Sequence, residues 1–231
     1  MSVDTIQPLN DKHLSPILKR LHKESLDQEF WTKYYFSYRR TTRALGWNLF
    51  PEWEKSYLEN KMVALDEDKC QFMYLLARQS NAQNIVEVGT SFGVSTVYLA
   101  AALRDNGSKG IVYGTEYEQL KATKAKEMWA TTGLSDRIKL LEGDLQETLT
   151  TVDRNIDMVL IDIWNHMALP ALLRVKDRLN KGAIILCDNV IVSRAGYEDL
   201  FKFLLDPQNG FKTMTLPFAG GLEYSVYLGS T

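Results

Sequence analysis

The chain predicts an α/β fold: a doubly wound, Rossmann-like, mostly parallel sheet with helices on both faces. Three observations carry this. Short β-branched runs alternate with amphipathic or alanine-rich stretches from about residue 66 onward. Ile85-Val86-Glu87-Val88 runs through Gly89 and Gly93 directly into Val94 to Leu103, giving a strand, a glycine turn and a helix start in one stretch. Later strands end on acids, at Glu116, Asp144, Asp162 and Asp188, and ligands in open α/β sheets bind at the carboxyl ends of strands.

Residues 1–24 are polar and contain Pro8 and Pro16, with a short helix expected from Pro16 to Lys23. Over residues 26–45, Leu26, Phe30, Tyr34 and Tyr38 recur every four residues beside Trp31 and Tyr35, the pattern of an amphipathic helix. Its aromatic face packs on the core or on a second subunit, or walls a substrate. Gly46 and Pro51 end it, and Trp53 to Leu58 forms a further turn. Asp66 to Ser80 reads as a helix with Phe72, Leu75 and Leu76 inward. Strands are then expected at Ile85 to Val88, Ile111 to Thr115, Ile138 to Leu141, Asp157 to Ile161 and Ala183 to Leu186. Helices are expected at Val94 to Leu103, Glu118 to Thr131, Leu145 to Thr150 and Pro170 to Leu179, the last stopped by Asn180-Lys181-Gly182. After a helix from Tyr197 to Leu205, strands Phe211 to Leu216 and Tyr224 to Leu228 have no helix between them and should form an antiparallel hairpin at one edge. Strand–helix alternation implies parallel pairing through right-handed crossovers. Residues 1–60 then form a helical extension and residues 61–231 the α/β domain.

The 231 residues are 45% hydrophobic and 24% charged, which suits one α/β domain with an extension. A formal net charge of -2 offers no electrostatic case for nucleic acid or an anionic membrane. No apolar run approaches a membrane span, and the N-terminus lacks the basic and apolar regions of a signal peptide. Cys70 and Cys187 stand alone in apolar surroundings and read as reduced core residues. A cytoplasmic enzyme acting on a small molecule is the expectation.

Several motifs compete for the glycine stretch. Position 91 is Ser, so G-x-G-x-x-G is not met, and no phosphate loop is present. Gly89-Thr90-Ser91-Phe92-Gly93 fits the G-x-S-x-G elbow of serine hydrolases. Ser91 would then need an acid and a His after it, and His166 alone follows, just behind Asp162, with no earlier strand to carry an oxyanion-hole loop. The remaining pattern, E-x-G-x-x-x-G from Glu87, Gly89 and Gly93, aims main-chain N–H groups of a helix start at a ligand. Glu116 ends the second strand, where an acid accepts hydrogen bonds from ribose hydroxyls. Asp144 and Leu145, after the third strand, are placed to flank an adenine. Asp162, Asp188 and Asn189 end adjacent strands in M-V-L-I-D-I-W-N and G-A-I-I-L-C-D-N-V. Two carboxylates and an amide oxygen are hard donors that suit Mg²⁺, Ca²⁺ or Mn²⁺ rather than Zn²⁺. The blander role for Asp188-Asn189 is a turn cap. Carboxylates gathered round one crevice repel unless something positive sits among them.

Over about residues 62–229 the chain resembles the S-adenosylmethionine-dependent O-methyltransferases of the catechol and caffeoyl-CoA type, a class I, cation-dependent group. The likeness is best at V-E-V-G-T-S-F-G-V-S, L-I-D-I-W-N and L-C-D-N-V. It implies a seven-stranded sheet with the last strand inserted antiparallel. It implies S-adenosylmethionine as methyl donor, lined by Glu87, Gly89, Thr90 and Ser95, with Glu116 on the ribose, Asp144 and Leu145 at the adenine, and Trp164 near the adenine or the methyl. Asp162, Asp188 and Asn189 would hold Mg²⁺ or another divalent cation, Asp162 also bordering the cofactor and joining Asn165 and His166 in the catalytic group. Where catechol-type members carry a general-base Lys, this chain has Asn165, and an amide takes no proton at neutral pH. His166 beside it is the expected substitute. The family's substrate-contacting Glu near the C-terminus has no clear counterpart; Glu223 lies in that region. The implied reaction is SN2 transfer to a hydroxyl of a small, catechol-like acceptor, with a homodimer as the expected assembly. A metal-independent relative, or one that keeps the nucleoside pocket without turnover, is the alternative that the missing Lys leaves open.

Overall fold

The computed structural model describes residues 7–28, 61–152 and 155–229. The strands are β1 (Asn84–Val88), β2 (Ile111–Glu116), β3 (Ile138–Glu142), β4 (Ile156–Ile161), β5 (Leu179–Asp188), β6 (Phe211–Leu216) and β7 (Leu222–Tyr227). They form a single sheet in the order β3-β2-β1-β4-β5-β7-β6. β1 to β5 pair in parallel, and β7 inserts antiparallel between β5 and β6. From β1 the chain winds outward to β2 and β3, then crosses back to β4 on the other side. The β1–β4 boundary is therefore the switch point at which a crevice opens. Val88 pairs with both Thr115 and Ile161, and Ile161 pairs with Cys187. That register brings Gly89, Glu116, Asp162 and Asp188 to one level at the sheet's carboxyl edge.

Two apolar layers cover the sheet. Ile85, Met158, Leu160 and Ile184 face a layer built from a helix over residues 14–28 (α1), α2 (Glu67–Gln79), α3 (Val94–Asp105) and α4 (Gln119–Thr132). Val86, Val88, Val159, Ile161 and Ile185 face the other layer, with α5 (Leu145–Thr148), α6 (Asn165–Val175) and α7 (Glu198–Leu205). The split follows the two-residue period of the strands. Every residue from Val94 to Leu103 of α3 is buried, as expected of a helix apolar all round.

Four boundaries or faces differ from those the sequence predicts. In α2 the fully buried apolar face is Cys70, Met73, Tyr74 and Ala77; Phe72 and Leu76 are half-buried and pack against that core as expected, while Leu75 is exposed. Leu75 falls on the far side of the helix from Cys70, Met73, Tyr74 and Ala77, so its apolar character alone does not mark the core face. α6 starts at Asn165, with Pro170 inside it. Pro170 predicts a helix start, but inside α6 it gives up only one hydrogen bond, to the carbonyl of His166. β5 begins at Leu179 and includes Asn180-Lys181-Gly182, with a register irregularity against β4 between Ile156 and Met158. The N-terminal helix also runs further than expected, over 14–28. From residue 29 on, the aromatic segment expected at 26–45 lies outside the described residues, as does Trp53 to Leu58. Among the described residues, no helix is long and apolar enough to cross a membrane.

Candidate active site

A cleft of about 870 Å³ opens at the switch point, bounded by the glycine turn, the ends of β2 to β5 and residues 62–65. Its size is that of small-molecule sites. Gly89 has φ +93°, and a Cβ there would lie 2.1 Å from the carbonyl oxygen of Asp162. Two strand ends meet so closely that only glycine fits. Gly93 has φ +76°, and a Cβ would strike the Trp129 indole at 2.5 Å. That indole instead donates to the Gly93 carbonyl at 3.0 Å. Ser91 between them is left-handed as well, at φ +51°.

Glu116 and Glu87 hold this turn from its two sides. Glu116 lines the cleft. Its Oε2 accepts from the Ser91 N–H at 2.7 Å and its Oε1 from the Glu118 N–H at 2.8 Å. Glu87 is 0% exposed and does not line the cleft. It shares the sheet face of Ile85 and lies beneath α3, where it accepts from Ser95 Oγ (2.7 Å), Thr96 Oγ1 (2.5 Å) and Thr90 Oγ1 (2.8 Å). Burial pushes Glu87 up to about 7 even though the three hydroxyls favour its charged form. Of the four residues expected to line the cofactor, Gly89, Thr90 and Ser95 do border the cleft, and Glu87 braces them from below. Asp144 and Leu145 form the facing wall, where Asp144 Oδ1 also caps α5 by accepting from the Gln146 N–H at 2.8 Å.

At the other end the structure brings Asp162, Asp188 and Asn189 together on neighbouring strand ends, all three lining the cleft. A residue that the sequence reading passed over joins them. Lys69, in the first turn of α2, is 1% exposed. Its Nζ donates to Asp188 Oδ1 at 2.6 Å and lies 2.8 Å from Asp66 Oδ2. Burial alone would lower the Lys69 pKa; the two carboxylates outweigh burial and raise it, so the group is an ammonium. The other oxygen of Asp188 accepts from Asn189 Nδ2 at 2.9 Å. Asp162 differs: no hydrogen bond reaches its carboxylate from the described residues. Burial, then the charges of Asp188 and Glu87, push it up to about 7. The signal that could have found Lys69 is helical spacing, since it stands four residues before Met73 and next to Cys70 on the buried face of α2. Within D-E-D-K it looked like part of a solvated charge run.

The expected metal ligands do not fit a divalent ion. Both Asp188 oxygens already accept from donors, Asn189 turns its N–H toward Asp188, and an ammonium occupies the corner. A hard dication needs six or more oxygen ligands, and Asp162 alone offers an uncommitted carboxylate. Among the described residues, no group of three His, Cys, Asp or Glu side chains could hold a metal.

Trp164 and Asn165 line the cleft, Trp164 being 73% exposed. His166, expected as the base, is exposed and does not line the cleft. One position further along the first turn of α6, its side chain emerges toward solvent. The same placement leaves Ser91 without the histidine that a hydrolase needs. Glu223 is buried in the β6–β7 hairpin, accepting from Thr215 Oγ1 at 2.5 Å and from the Thr213 hydroxyl, and it too is absent from the cleft lining.

Comparison with known proteins agrees with this architecture. A family model described as a methyltransferase domain matches residues 86–190, from β1 to just past β5. The chain is 31% identical over 130 residues to a catechol O-methyltransferase of Mycobacterium tuberculosis, covering 56% of this chain and 58% of that one. The chain thus spans little more than half the length of that relative. It is 28% identical over 192 residues to catechol O-methyltransferase B of Danio rerio, covering 77% and 67%. The crystal structure of the O-methyltransferase TomG from Streptomyces achromogenes, solved in complex with its methyl donor, superposes with a TM-score of 0.66 at 22% identity, covering 72% of this chain and 82% of that one; this likeness is one of fold. With the glycine turn, the acid-tipped strands and the inserted antiparallel strand, these matches make the α/β part of the chain similar to S-adenosylmethionine-dependent O-methyltransferases, with a methyltransferase domain matched over residues 86–190.

Proposed function

We propose that the protein transfers the methyl group of S-adenosylmethionine to a hydroxyl of a small aromatic acceptor, and does so without a divalent metal. The observation that carries the metal-free part is the acid corner, where both oxygens of Asp188 are already held by the Lys69 ammonium and the Asn189 amide. The nucleoside would lie between the glycine turn and the wall of Asp144 and Leu145, with its ribose at Glu116, as in other switch-point sites. The acceptor would enter past Trp164 and Val192, which line the cleft and stay 73% and 69% exposed. Two large apolar side chains held open at a mouth suit a flat apolar ligand.

In the reaction the acceptor oxygen attacks the sulfonium methyl. The O–C bond forms as the C–S bond breaks, and sulfur leaves with the electron pair as a neutral thioether. The hydroxyl proton goes to the carboxylate of Asp162, which faces the cleft with no hydrogen bond from the described residues. Opposite charges are consumed as the methyl moves, so no oxyanion hole is required; much of the rate comes from fixing the two reactants in line. Residues 1–60 would serve this domain as an extension; of its described part, Leu14 and Leu18 of α1 sit in the same apolar layer as α2 and α3.

Assay with labelled S-adenosylmethionine and a panel of phenols and catechols, in EDTA and then in Mg²⁺, tests this reading. Transfer in EDTA at a rate that Mg²⁺ changes by less than about twofold is expected. Transfer abolished by EDTA and restored by Mg²⁺ contradicts the metal-free reading. Tight cofactor binding with no turnover across the panel favours a silent relative.

A further inference from the structure

The acid corner carries a consequence for metal selectivity. Asp66, Asp162 and Asp188 converge where β4 and β5 end against the start of α2, and they arrive from three separate elements. Such a gathering calls for a cation. The chain brings one of its own, because Lys69 reaches 119 positions forward in sequence to Asp188 while holding Asp66 one helical turn back. The contact is internal to the fold: Lys69 is buried, and the cleft lining begins at Asp188 in front of it. The Asn189 amide then turns its N–H to the remaining Asp188 oxygen, the orientation that satisfies a carboxylate with no metal beside it.

We propose that Lys69 stands in for a divalent cation: its ammonium neutralises the acid corner, fixes the Asp188 carboxylate from behind, and keeps metal out of a site that would otherwise take one. Lys69 is thus a positioning residue that sets cofactor choice, and it does not touch the acceptor. The proposal rests on reading this corner as the acceptor end of a methyltransferase cleft, but its test does not depend on turnover. Removing the ammonium frees Asp188 Oδ1, lets the Asn189 amide rotate its oxygen inward, and leaves Asp162 as a third ligand. Two carboxylates and an amide oxygen, with water, are a donor set for Mn²⁺ or Mg²⁺.

The test is Mn²⁺ binding, followed by the loss of the free-ion spin-resonance signal, on the full chain. Wild type should leave millimolar Mn²⁺ free. Lys69→Met should bind one Mn²⁺ per chain at least about tenfold more tightly than wild type, and the added substitution Asp188→Asn should abolish that site. Lys69→Arg, which keeps the charge, should bind none. A wild-type Mn²⁺ site that Asp188→Asn removes overturns the proposal, as does a folded Lys69→Met that gains no affinity. Should Lys69→Met fail to fold, the wild-type titration decides alone: an Asp188-dependent site refutes the proposal and its absence supports it. Titration of the same wild-type sample with S-adenosylhomocysteine separates the two readings. No nucleoside binding, with the Mn²⁺ pattern intact, sinks the proposed function and leaves the role of Lys69 standing.

Discussion

The two ends of the cleft solve the same problem by different means. Each gathers carboxylates at strand ends. At the glycine-turn end, Glu116 is held by two backbone N–H groups and Glu87 by three hydroxyls, so both acids are satisfied by neutral donors, Glu87 from two positions before Gly89 and Glu116 across 25 positions from Ser91. At the acid corner, Asp188 at the end of β5 is held by an ammonium delivered from α2. The first arrangement uses neutral donors, at most 25 positions away. The second is long-range and ionic, and the absence of the lysine would leave buried negative charge without compensation. The ends should therefore respond differently to substitution, to pH and to metal.

The largest effect is expected at the closest approach. Gly89→Ala forces a Cβ against the backbone oxygen of Asp162, which cannot swing aside. A loss above about 4 kcal/mol in urea unfolding is predicted, together with loss of S-adenosylhomocysteine binding; a near-neutral change would mean that the strand ends are further apart than described. Lys69→Met comes next. Breaking one side of a buried ion pair costs about 3–5 kcal/mol, measured in EDTA, and added Mn²⁺ should recover part of it.

Glu87→Gln sharpens the contrast through pH. The folded-state pKa of Glu87, about 7, lies above its ordinary value of 4.5. The native state thus holds a proton that the unfolded state has lost, and stability falls as pH rises through that window. The penalty from this group reaches about 3 kcal/mol above pH 7. Gln cannot ionise, so the stability of Glu87→Gln relative to wild type should rise from pH 5 to pH 8; a constant difference refutes the shift. Glu116→Ala should raise the dissociation constant for S-adenosylhomocysteine by about 10–100-fold, as a charged hydrogen-bonding group is lost. His166→Ala should be the smallest change, under about 0.5 kcal/mol in stability and without effect on turnover.

The same contrast explains how much could be read from the chain. The strands were legible because each is a compact run with apolar residues, richest in β-branched ones in β1, β2 and β4, and the hairpin because no helix separates Phe211 to Leu216 from the last strand. The glycine turn was legible because its strand, both glycines and its helix start fall in one stretch, although the groups that demand those glycines, Asp162 and Trp129, are distant in sequence. Asp162 and Asp188 could be placed at one edge from the strand pattern alone. What the sequence hid depended on distant packing. The core face of α2 is set by the helix's rotation against its neighbours, which buries Cys70, Met73, Tyr74 and Ala77 and leaves Leu75 outside. The start of α6 was obscured by Pro170, and the exposed position of His166 follows from that start. Lys69 was hidden most completely, because its partner Asp188 lies 119 positions away and its neighbours Asp66, Glu67 and Asp68 look like a wet surface.

One measurement tests the central claim directly, that the cleft holds the nucleoside with an acid corner already complete. Wild-type protein is freed of metal with EDTA and titrated calorimetrically with S-adenosylhomocysteine, then titrated again in millimolar Mg²⁺. One site per chain, with the same affinity in both buffers, is the predicted result. No binding in EDTA, or binding that tightens sharply when Mg²⁺ is restored, would contradict it.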